Sequence, residues 1–173
     1  MEQATKLSSA ERTNIAVALS RLVGDTFGSL ATLPLVCLGE LHLPDPEAAI
    51  TDHFNLWRSY LVVVGNVLRT AGFGETLPDG VKVLTDCITE IRDANRQILA
   101  DHVGNPRTAV AAFARMESAF QRIPGAVRDL GMALDVDITF LPGQRSLKTW
   151  THERSLRWLG ERLRDFAAGA AGK

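Results

Sequence analysis

The chain has 173 residues, with 19 basic and 20 acidic side chains and 46% hydrophobic residues. That is the size of one ordinary domain, long enough to bury a core without disulfide or metal staples. The net charge of −1 and the pI near 6.4 exclude wholesale disorder and a generally basic nucleic-acid binder, whose pI is expected above about 9.

Apolar residues recur at spacings of three and four, so helix is the expectation along nearly the whole chain. A first helix opens at Ser8, with Glu11 three residues on as a capping box, and its stripe is Ile15, Leu19, Leu22, Val23, Phe27 and Leu30. Gly28 and Pro34 loosen it, and the apolar Leu35–Leu43 stretch reads equally as a short helix or an extended connector. The second helix starts at Asp45-Pro46-Glu47, a cap, a proline suited to the first turn and an acid at the positive end of the dipole. Its seam runs Ile50, Phe54, Trp57, Leu61, Val64 and Leu68, and Gly72 closes it. A glycine-rich turn leads to a third helix, about Val81 to Val103, with Val81, Leu84, Ile88, Ile91, Ile98 and Leu99 inward. Asn105-Pro106 starts a fourth helix carrying Val110, Phe113, Met116, Phe120 and Ile123. Pro124-Gly125 is expected to break it, leaving a shorter helix over Ala126–Leu134. Val136, Ile138 and Phe140 alternate with polar residues, but one such run cannot build a sheet and is read as an extended connector. A final helix covers roughly Leu147–Phe166.

Four long amphipathic helices and one or two short ones, joined by brief loops, predict an all-α fold, an antiparallel helical bundle. The expected organisation is a flexible N-terminus over 1–7, one bundle domain over 8–166, and a frayed tail over 167–173.

Cys37 and Cys87 are far apart and flanked by apolar residues, as suits two buried thiols in a reducing cytoplasm. The polar start, Met1 to Lys6, has no apolar core of a signal peptide. The apolar stretches Leu30–Leu43 and Leu61–Leu68 fall short of the ~20 residues that span a bilayer, so no membrane span is expected. Phosphate-cradling glycine loops, paired metal-ligand spacings, haem attachment and the serine-hydrolase elbow are absent as motifs, so neither a metal nor a cofactor is expected.

Three groups of residues carry chemical leads. Asn95, His102 and Glu117 fall on apolar stripes and His53 lies at the edge of one. Convergence of these groups inside the bundle would make a small-molecule pocket or a two-His-one-carboxylate site. The plainer reading makes them satisfied core or edge groups, with Asn95 setting helix register. The second lead is Arg96-Gln97-Ile98-Leu99-Ala100-Asp101-His102 near the end of the third helix. This run resembles the R-x(4–6)-H signature of HEPN-type helical-bundle ribonucleases. The resemblance implies metal-independent RNA cleavage, with Arg96 stabilising phosphate charge and His102 acting as general acid–base, typically across a dimer cleft.

The third lead is the last helix, where Leu156, Leu159, Leu163 and Phe166 form one stripe and Trp150, Arg154, Arg157, Trp158 and Arg164 cluster on the opposite side. Residues 144–173 carry a net +4. Such a face suits an interface with a second subunit or another protein, and less readily nucleic acid or lipid. Packing within the chain is the alternative, with Glu153 and Glu161 neutralising Arg157 and Arg164 locally. The leading expectation is a non-enzymatic binding or protein-interaction module, homodimeric through its C-terminal helix. The HEPN-like ribonuclease and the small-molecule sensor or enzyme are the alternatives.

Overall fold

The computed structural model describes residues 7–138 apart from 31 and 75, and residues 157, 160–162, 164, 165, 168 and 169 beyond them. Helix α1 spans Ser9–Ser29 and begins as the sequence predicts. The Ser8 hydroxyl accepts from the Glu11 amide at 3.3 Å, and the Glu11 carboxylate accepts from the Ser8 amide at 2.7 Å. Two amide donors with no partner inside the helix are thereby satisfied. Ile15, Leu19, Leu22 and Val23 are buried, and Leu7, within the stretch expected to be flexible, is buried beside them.

The open choice over Leu35–Leu43 resolves into both structures. A single short helix, α2, covers Leu33–Cys37, and Gly39 then turns the chain with φ of +72° into an irregular segment. Helix α3 spans Pro46–Thr70, with the Asp45 carboxylate accepting from the Ala48 amide at 2.9 Å. Ile50, Trp57, Leu61, Val64 and Leu68 are buried along its seam. Phe54 is half-buried instead, with the Arg92 guanidinium 4.4 Å above its ring. Helix α4 runs Asp79–Asp101 and α5 runs Pro106–Leu134.

The continuity of α5 corrects one expectation, because Pro124 lies inside the helix and does not end it. An interior proline removes the amide that would bond the carbonyl four residues back, at a cost of about 3 kcal/mol. The buried stripe nevertheless continues through Ile123, Val127, Leu130 and Leu134. Each such side chain contributes roughly 1.5–3 kcal/mol on burial, which outweighs the defect.

The helices close into a ring in which α1 packs on α3, α3 on α4, α4 on α5, and α5 back on α1, with α2 laid across α4 and α3. Residue pairings give the directions. Glu90 meets Arg122 and Gln97 meets Arg115 across α4 and α5. Glu47 meets Arg96 and Phe54 meets Arg92 across α3 and α4. Phe27 meets Phe120 and Arg12 meets Asp135 across α1 and α5. In each set the numbers rise on one helix as they fall on the other, so each of these neighbouring pairs is antiparallel. Gly80 allows α4 to pack closely on α5, since a Cβ there would sit 2.9 Å from the Cβ of Leu130.

Residues Val136 to Ile138 are irregular, and no strand occurs among the described residues. Asp135 ends α5 in the left-handed region at φ 53°, and Val136 and Ile138 fold back, buried, over Gly131. No helix among the described residues is long and apolar enough to cross a membrane.

Candidate functional site

Three polar side chains are buried among the described residues: Thr26 and Ser29, which bond carbonyls of their own helix, and Asn95, which is fully buried. Its amide donates to the Ile91 carbonyl at 2.9 Å and toward the Met116 sulfur at 3.3 Å, and its oxygen accepts from the Cys37 thiol at 3.6 Å. One side chain thus ties α2, α4 and α5 together with its polar atoms engaged, the arrangement of a register-setting group. Burial, reinforced by the negative charge of Glu47, pushes the Cys37 thiol up to about 12, so it stays protonated and unreactive at neutral pH. Cys87 is raised as well, by burial.

The other polar residues on the stripes do not gather around Asn95. His102 caps the end of α4, where its Nδ1 lies 3.0 Å from the Ile98 carbonyl and 3.1 Å from that of Leu99. Two carbonyl partners require a proton on Nδ1. His53 uses its Nδ1 in the same way on the Ala49 carbonyl at 2.7 Å, with its ring edge-on to Trp57. Glu117 is half-buried on α5. No group of three His, Cys, Asp or Glu side chains able to hold a metal ion exists among the described residues. One buried polar atom is left without a partner there, the indole nitrogen of Trp57.

Arg96 and His102 are not brought together within the chain. Six residues on a helix turn the direction of a side chain by about 240°. Arg96 reaches across to α3, donating to Glu47 at 2.6 Å and to Thr51 at 3.4 Å, while His102 folds onto its own last turn. Of the C-terminal face, Arg157 and Arg164 are exposed, whereas Trp150, Arg154 and Trp158 lie outside the described residues. Gly160 is buried against Phe113, where a Cβ would approach the ring to 3.2 Å, and Arg162 pairs with Glu40 at 2.5 Å.

Two surface features remain. An open cleft of about 830 Å³ lies between the first turns of α1 and the end of α5, and Arg12, Val17, Met132 and Asp135 are among the residues that line it. The second feature is the outward side of α3. At 100° per residue, Asn55, Leu56, Ser59, Val62, Val63, Asn66 and Thr70 share the side away from the buried seam, and all are exposed. Leu56, Val62 and Val63 are 45%, 46% and 44% exposed. Asp52 is the charged residue nearest the middle of this strip, and exposed Arg58 and Arg69 border it on the flank toward α4, with the Arg69 guanidinium donating to Asn66 at 2.8 Å. The outer sides of α4 and α5 carry instead exposed Lys82, Asp86, Asp93, Arg96, Arg107, Arg115, Arg122, Arg128 and Asp129.

This strip is the surface that reading the sequence passed over, since attention to the apolar seam hides what lies behind it. The signal was present as a run of Asn, Ser, Thr and Val at outward positions where a solvated helix normally carries Lys and Glu. No protein-family model matches the chain, and no curated protein or solved structure is significantly similar to it.

Proposed function

We propose that this protein is a non-enzymatic interaction module and that it works through the outward side of α3. The observation that carries the reading is the uneven surface character: many charged side chains on the outer sides of α4 and α5, and Leu56, Val62 and Val63 exposed together on α3 with Arg58 and Arg69 at their flank. Depletion of charge around exposed apolar side chains marks the centre of protein–protein interfaces, and clustered apolar exposure has a purpose more often than scattered exposure does. The hydrogen bonds of Asn95 and Arg96 support the same reading, because both side chains are engaged within the fold.

The test is a comparison of affinity captures from cell lysate with the wild-type protein and a Val62→Glu/Val63→Glu variant as baits. Both side chains are exposed, so the variant is expected to keep its helix content and melting temperature while losing proteins that the wild type retains. Identical sets from the two baits refute the assignment of the surface. RNA incubated with the wild type is expected to remain intact, and cleavage that disappears in His102→Ala refutes the non-enzymatic half.

A further inference from the structure

We draw no further inference here: the strongest candidate, the open cleft between the first turns of α1 and the end of α5, carries nothing, because the Arg12 guanidinium that lines it is already bonded to Asp135 and to the Leu7 carbonyl and nothing in the structure shows what covers it.

Discussion

Replacing Gly131 by alanine is expected to destabilise the protein, although glycine-to-alanine changes inside helices ordinarily stabilise. An ideal Cβ at Gly131 would lie 2.2 Å from Cδ1 and 2.7 Å from Cγ1 of Ile138, and 3.1 Å from the Val136 carbonyl oxygen. The isoleucine must leave its place on α5, and full exposure of such a side chain costs about 1.5–3 kcal/mol. The returning chain must shift as well, to relieve the carbonyl. Against this, alanine recovers roughly 1 kcal/mol of backbone entropy and helix propensity, leaving a net loss of about 1–2 kcal/mol. Gly24 supplies the control. It lies inside α1 with nothing within 4 Å of its ideal Cβ, so Gly24→Ala is expected to gain about 0.5–1 kcal/mol. For a chain of this size the gap between the variants is roughly 5–10 °C in melting temperature. Thermal and urea unfolding followed by far-ultraviolet circular dichroism measures it. A Gly131→Ala protein that melts at or above the wild type refutes the argument that Ile138 closes on the bare backbone of α5.

Other substitutions probe the interior. Asn95→Asp puts a carboxylate with no cationic partner into the fully buried site and is expected to cost about 3–5 kcal/mol at neutral pH. Because burial raises that carboxyl in the folded state, the penalty should vanish as pH falls below the unfolded value near 3.9. Asn95→Leu, with no charge, should cost no more than about 2 kcal/mol at either pH, and equal losses for the two variants contradict the assignment. Cys37 works in the alkaline direction. Its thiol is raised from 9.0 to about 12 in the folded chain, so stability should fall once pH exceeds the unfolded value, by up to ~1.4 kcal/mol per pH unit. Cys37→Ala is expected to flatten that limb by about 1–2 kcal/mol between pH 9 and 10.5 in urea titrations, and parallel limbs refute it. Pro124→Ala should restore a helical amide in α5 and raise stability by about 1–3 kcal/mol, with a lower urea midpoint as the contrary result.

The helices and their starts were legible before any coordinates, because they depend on neighbours three and four residues away. The buried positions of Ile15, Leu19, Leu22, Ile50, Trp57 and Leu61, and the caps at Ser8 and Asp45, follow from spacing and side-chain chemistry alone. The antiparallel bundle follows from the short turns between amphipathic rods that must hide their stripes on one another. Tertiary structure decided whatever depends on which stripe meets which. Pro124 reads locally as a break, and only the buried run from Ile123 to Leu134 keeps α5 whole. Arg96 and His102 sit close in sequence, yet Arg96 is drawn to Glu47 on α3, a partner that no spacing rule names. Asn95 could be placed on a seam from the sequence, but its bond to Cys37 required α2 to lie across α4. Local patterns cost the chain little to satisfy and can be read along it, whereas long-range partners are chosen by packing, which the order of residues encodes only through the whole folded shape.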